Sequence, residues 1–220
     1  CTYLMEFDYP LSLVSTGGSP LSGCNALKTV TIPEGITAIP EAMFANSSTT
    51  SITLPSPLKQ IEDDAFYNCD RLKEIVIPEG VESIGDEAFY DCDALTAVTL
   101  PSTIKSFGNY AFKYCSVLSD VTFAEGLTKI GYEAFASCTS LETAALPDSV
   151  KETGYHAFAD CTSLASFDYP RSLAETGGSP LSGCTALTTV ALPEGITAIP
   201  GAMFANSHIT AIELPATLKQ

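Results

Sequence analysis

The residues of this 220-residue chain best suited to chemistry are its eight cysteines. A thiolate can act as a nucleophile, a metal ligand or one half of a disulfide, depending on what stands beside it. The cysteines fall at Cys1, Cys24, Cys69, Cys92, Cys115, Cys138, Cys161 and Cys184, and from Cys69 onward they are evenly spaced. Only two histidines, His156 and His208, accompany them, in different repeats, and neither occupies a position beside the cysteines, so no nucleophile–base pair is legible. Acids gather at Glu62-Asp63-Asp64, Asp86-Glu87 and Asp91/Asp93, without the close fixed spacing around a turn that a calcium loop requires. They read as solvated turn residues, those near Asp86 also favouring the start of a short helical turn. Gly17-Gly18 and Gly177-Gly178 read as turn glycines and not as a phosphate loop. The expectation is a protein with no catalytic residues, no metal and no cofactor.

The spacing of the cysteines belongs to a longer pattern. Units of equal length begin at Cys69, Cys92, Cys115 and Cys138 and share the skeleton C-x-x-L-x-x-V-x-I-P-x-x-V-x-x-I-G-x-x-A-F-x-x. The period, about 23 residues, lies in the range of stacked repeat arrays. In Cys69–Asp91 the apolar set is Leu72, Ile75, Ile77, Val81, Ile84, Ala88 and Phe89. Near-alternation over Glu74–Ile77 predicts a short strand, which Pro78 and Gly80 end. Val81 and Ile84 then point to the core, Gly85 gives a second turn, and Ala88-Phe89 sits in one helical or 3₁₀ turn. Too little apolar surface is buried by one unit to offset the entropy of ordering it, so the units must stack.

These residues carry a family resemblance. The run I-G-x-x-A-F-x-x-C-x-x-L at Ile84–Leu95 and Ile130–Leu141 resembles bacterial leucine-rich repeats of the BspA-like, treponemal type. Period, Cys, Pro and Ala-Phe recur together over essentially the whole chain. The resemblance implies a curved leucine-rich-repeat solenoid, secreted or displayed at the bacterial surface and used in adhesion, with no enzyme activity. The expected architecture is a right-handed parallel solenoid of about nine rungs, with one inner sheet and short 3₁₀ or irregular convex turns.

Stacking puts the cysteines in a column up one edge. Neighbouring rungs bring their Cα atoms to ~4.8 Å, within disulfide reach, yet side chains in an in-register column run parallel and do not face each other. Asn46 and Asn206 are read as taking the column position in two units. Cys24, Asn46, Cys69, Cys92, Cys115, Cys138, Cys161, Cys184 and Asn206 are thus expected to be structural, the thiols reduced and buried. In this reading Cys24–Ala45 is the unit that is one residue short.

The array covers 1–220 as a single domain of about nine and a half repeats, and reads as part of a longer chain. Asp168–Gln220 closely repeats Asp8–Gln60, so the pattern that opens at Cys1 opens again at Cys161. The offset equals six units of regular length and the short one. Neither end shows a polar cap, which leaves end-to-end contacts open. With 26 acids against 10 bases the formal net charge is −16. That balance argues against nucleic acid or an anionic membrane as partner, and no apolar run approaches the ~20 residues of a membrane helix.

Two surfaces are candidates for binding. The outward strand positions on the expected concave face include Thr29, Thr31, Ser51, Thr53, Glu74, Val76, Thr99, Asp120 and Thr122, a flat hydroxyl-rich surface; equally, Thr suits any exposed strand. On the turn side lie Tyr67, Tyr90, Tyr110, Tyr114, Tyr132 and Tyr155, at variable positions of the regular central units. Tyrosine is a favoured interface anchor, and the alternative is packing over neighbouring rungs. The functional expectation is a surface-displayed module that binds a protein or glycan over several repeats; the alternative is a spacer that displays another domain.

Overall fold

The computed structural model describes Leu4 and residues 19–173, 175–196, 199 and 201–218. Cys1, most of the first unit and the Gly17-Gly18 pair lie outside the described residues. The chain is a solenoid of parallel strands in which most described turns contribute a three-residue strand and a two-residue strand, and each strand pairs with its counterpart one turn away.

The first series alternates as a strand with one buried face must. In Thr29–Thr31, Ser51–Thr53 and Glu74–Val76 the middle residue is buried and its neighbours are exposed. Ala97–Thr99, Thr143–Ala145, Ser166–Asp168 and Thr189–Ala191 bury their middle residue in the same way. Register is flush: Glu74 pairs with Ala97 and Val76 with Thr99, each partner one full turn on. Asp120–Val121 continues that ladder.

The second series was not legible as strand. Ala38–Ile39, Gln60–Ile61, Ser83–Ile84, Ser106–Phe107, Lys129–Ile130, Glu152–Thr153 and Glu175–Thr176 form one unbroken seven-stranded sheet. One inner sheet was expected; among the described residues the first series is broken into four short sheets and a second series forms its own sheet, because the segment between the proline turn and the glycine column is straight enough for one pair of ladder bonds per rung. Gly85, Gly108, Gly131 and Gly154 matter here through closeness, not through turning: a Cβ built on Gly131 would stand 2.3 Å from the Gly108 carbonyl oxygen.

The corner that closes each turn also differs from expectation. Ala88-Phe89 is not a helical or 3₁₀ turn, and no helix occurs among the described residues. Left-handed residues flank the pair at Glu87 (φ 54°) and Asp91 (φ 57°), which breaks any helical run. Alternate N–H groups point to the next rung: Glu87 donates to Asn109 O, Phe89 to Ala111 O and Asp91 to Lys113 O, at 2.8, 2.8 and 2.9 Å. The corner is therefore a third ladder between rungs. Residues before and after it hold positive φ in rung after rung, for example Asn46, Asn68, Asp160 and Asn206, short polar types that tolerate this conformation.

Inside the coil the buried side chains form one cluster. Its spine is a phenylalanine stack: Phe44, Phe66, Phe89, Phe112, Phe135 and Phe158 lie 4.9 to 5.3 Å apart, ring to ring, and within 12° of parallel. That separation matches the ~4.8 Å between strands, so the rings follow the backbone rise. No described helix is long and apolar enough to cross a membrane.

Candidate binding surface

The seven described cysteines are buried and unpaired as disulfides. Each thiol from Cys69 to Cys184 donates to the carbonyl of the phenylalanine one rung back: Cys69 to Phe44, Cys92 to Phe66, Cys115 to Phe89, Cys138 to Phe112, Cys161 to Phe135 and Cys184 to Phe158, at 3.1 to 3.2 Å. Phe66 O also accepts the Cys69 N–H at 3.2 Å, so both of its lone pairs are used. Burial pushes the Cys184 thiol up to about 12, and raises Cys69, Cys92, Cys115, Cys138 and Cys161 as well. Thiols held protonated and out of water are poor nucleophiles and poor metal ligands.

Asn46 and Asn206 are not in this column. Both are exposed and left-handed, with φ 58°, one position ahead of it. Ser47 and Ser207 take the column instead; Ser47 is 1% exposed and its Oγ lies 3.6 Å from Cys69 Sγ. The residue missing from the array therefore falls between Ser47 and Ser51, so the short unit is the one that begins at Ser47 and not Cys24–Ala45. The physical reason is that the exposed left-handed site suits asparagine and the buried site does not.

The acids support the backbone between rungs. Asp63 Oδ1 accepts the Asp86 N–H at 2.8 Å and Asp86 Oδ1 accepts the Asn109 N–H at 2.7 Å, so Asp86 starts no helix. Glu62 accepts the Glu41 N–H at 3.1 Å. Among the described residues no group of three or more His, Cys, Asp or Glu is arranged to hold a metal ion.

Thr29, Thr31, Ser51, Thr53, Glu74, Val76, Thr99, Asp120 and Thr122 all lie exposed on the outer side of the first strand series. Flush register sets them in two straight rows, Thr29 beside Ser51 and Thr31 beside Thr53. Val76, 64% exposed, is the one large apolar side chain among them.

The tyrosines, by contrast, are brought into contact. Tyr67 and Tyr90 stack at 5.1 Å and 5°, and Tyr90 meets the edge of Tyr114 at 5.4 Å. Tyr110 and Tyr132 meet at 5.1 Å, and Tyr132 lies 6.5 Å from His156, which is 5.9 Å from Tyr155. Lys113 joins the two halves: its Nζ stands 4.9 Å from the Tyr114 ring centre and 5.2 Å from that of Tyr110, and it pairs with Glu133. The result is one diagonal track over five rungs, from Tyr67 to Tyr155. Tyr114, Tyr132 and Tyr155 are 40%, 38% and 55% exposed. Tyr110 and Tyr114 hold φ of 57° and 64°, unusual for bulky residues. Beside the track's end, a groove of about 450 Å³ runs over Gly131, Gly154 and Gly177 between Tyr132 and Tyr155 and the Lys129–Glu152 ion pair. Sequence reasoning missed Lys113 and His156 as members: Lys113 stands in the column of Tyr67 and Tyr90, where a lysine interrupts the tyrosines, and His156 stands in that of Tyr110.

A family model for the BspA type leucine rich repeat region matches in six copies, over residues 1–119 and 108–220. No curated protein sequence matches. Among solved structures, a leucine rich cell surface protein from Faecalibacterium prausnitzii A2-165 is 31% identical, with TM-score 0.57, over 89% of this chain and 55% of that one. This chain thus spans little more than half of that protein. The T. pallidum leucine rich repeat protein TpLRR is 30% identical, with TM-score 0.57, over 76% of this chain and 71% of that one. A leucine-rich repeat protein from Eubacterium ventriosum ATCC 27560, 23% identical with TM-score 0.53 over 90% of this chain and 69% of that one, shares the fold.

Proposed function

This chain belongs to the BspA-type leucine-rich repeat family, and on that premise we propose that it is a surface-displayed module that holds a macromolecular partner across several rungs. The observation that carries the reading is the track of contacting aromatic rings from Tyr67 to Tyr155, its two halves joined by Lys113, on the outside of the turns. Tyrosines rigidly held by neighbours offer large contact area at small entropic loss on binding. Left-handed tyrosines at Tyr110 and Tyr114, where other rungs place Asp, Glu, Asn, Ser, Ala, His or Gly, carry a local strain that packing inside the coil does not need. Surface display is supported by the likeness to the F. prausnitzii protein, described as a leucine rich cell surface protein. Catalysis has no part in the proposal, since the thiols are buried and hydrogen-bonded to carbonyls.

The rival role, a spacer, draws support from the strand face, whose rows of Thr, Ser and Ala offer few anchors. Binding of the 220-residue protein to a panel of immobilised extracellular-matrix proteins separates the two. Loss of at least tenfold in affinity on changing Tyr110, Tyr132 and Tyr155 together to Ser, with unchanged thermal unfolding, is the expected result. Undiminished binding by that variant removes the track from the proposal, and a wild type that binds nothing on the panel favours the spacer.

A further inference from the structure

Lys113 displays what the track is built to hold. Its ammonium lies over two tyrosine rings and against one carboxylate, Glu133, in a half-buried position. This is a cation–π arrangement completed by an ion pair, with the cation supplied by the chain itself. The same materials recur nearer the start of the track, where among the described residues no ammonium lies over the Tyr67 or Tyr90 ring. Tyr67 and Tyr90 stack there, Asp64 and Glu87 stand in the column on one side and Asp91 on the other. Among the described residues no lysine or arginine pairs with Asp64, Glu87 or Asp91. The carboxylates crowd one another: burial and the charges of Glu87, Asp63, Glu41 and Asp86 raise the Asp64 carboxyl above its ordinary range. A cation arriving from outside relieves that repulsion. The whole chain, at −16, favours the approach of a basic partner.

We propose that the track's partner is an extended, lysine-rich polypeptide segment whose ammonium groups seat between the tyrosine rings and the carboxylates of the neighbouring columns. This rests on the track being the binding surface. Five rungs span about 19 Å, and an extended segment places like-facing side chains about 7 Å apart, so about three to four lysines of one face match its length. A polypeptide fits better than a small polyamine, because the groove beside Tyr132 and Tyr155 has a floor of glycines that lets a backbone lie close.

The probe is a fluorescein-labelled peptide of alternating Lys and Gly, titrated with the 220-residue protein by fluorescence anisotropy. Wild type is expected to bind it, more weakly as salt rises, and not to bind the same peptide with Glu for Lys. Asp64→Asn, Glu87→Gln and Asp91→Asn together, or Tyr67→Ser with Tyr90→Ser, should weaken binding at least about fivefold. Tyr67→Phe with Tyr90→Phe keeps the ring faces and should bind as wild type does, which guards against a folding defect. Glu125→Gln, Glu142→Gln and Glu213→Gln together remove as much charge away from the track and should change affinity less than about twofold. An equal loss in that control, or no binding of the lysine peptide by wild type, overturns the proposal. If the lysine peptide fails while matrix binding still depends on Tyr110, Tyr132 and Tyr155, the lysine reading falls and the track's role stands.

Discussion

The short rung beginning at Ser47 and the regular rung beginning at Cys92 close the same corner with different chemistry. In the regular rung, Cys92 sends its thiol to Phe66 O and Leu95 fills the core three residues later. In the short rung one residue is missing, Thr49 stands for the leucine, and Ser47 Oγ donates to Thr49 Oγ1 at 3.1 Å. Thr49 is fully buried. The corner thus tolerates lost length when an apolar filler and a thiol are replaced by two hydroxyls that satisfy each other. In the duplicated copy Ser207 instead donates to Phe204 O, three residues before it, at 2.6 Å, and Ile209 stands where Thr49 does. One deletion has been settled in two ways.

The largest test of this contrast is alkaline pH, which acts on thiol corners and leaves hydroxyl corners alone. Cys184 ionises near 9 when unfolded and at about 12 when folded, and burial raises its column neighbours in the same direction. Below pH 9 both states keep their protons and stability is unaffected. Between about 9 and 12 the unfolded chain releases protons that the folded chain retains, so stability falls as pH rises, by about 1.4 kcal/mol per pH unit for each buried thiol. Urea midpoints should be level from pH 7 to 8.5 and drop steeply above about 9; a level profile through pH 11 would break the account. Next in size, Phe112→Ala removes a fully buried ring from the stack and should cost about 3–5 kcal/mol, against less than about 0.5 for Thr99→Ala on the strand face.

Ser47→Ala sharpens the contrast further. It strands the Thr49 hydroxyl and should cost about 1–3 kcal/mol, whereas adding Thr49→Val should restore part of the loss, since both partners are then apolar. If the double variant is no better than the single, the hydroxyl pair is not what holds the short corner. The smallest effect has the opposite sign. Thr153 occupies the core column of Ile84 and Ile130, and its Oγ1 is buried without a hydrogen-bond partner among the described residues. Thr153→Ile should stabilise by about 1–2 kcal/mol in the same urea series.

Much of the coil was legible because its strongest constraints repeat. Cys, Ala-Phe, Gly and the strand alternation each answer to a buried column, and a column recurs at the period of the turn. The two-residue strands were not legible, since two positions hold no alternation to read. Asn46 was misplaced by one because the sequence shows residue types and not backbone sign: only a positive φ separates an exposed Asn site from the buried site after it. The tyrosines were visible one by one. Their union was not, because Lys113 and Tyr114 sit in different columns from Tyr110 and meet only across the rise of the coil.

The ladders between rungs have a mechanical consequence. Phe66 N–H bonds to Ala88 O and Cys92 Sγ to Phe66 O, so each turn is fastened only to the turns beside it. Tension on the two ends therefore loads one seam at a time, and the coil unzips instead of shearing. Each freed turn lengthens the chain by about 80 Å, so a pulled molecule yields in small, even steps and recovers by rewinding onto what is left.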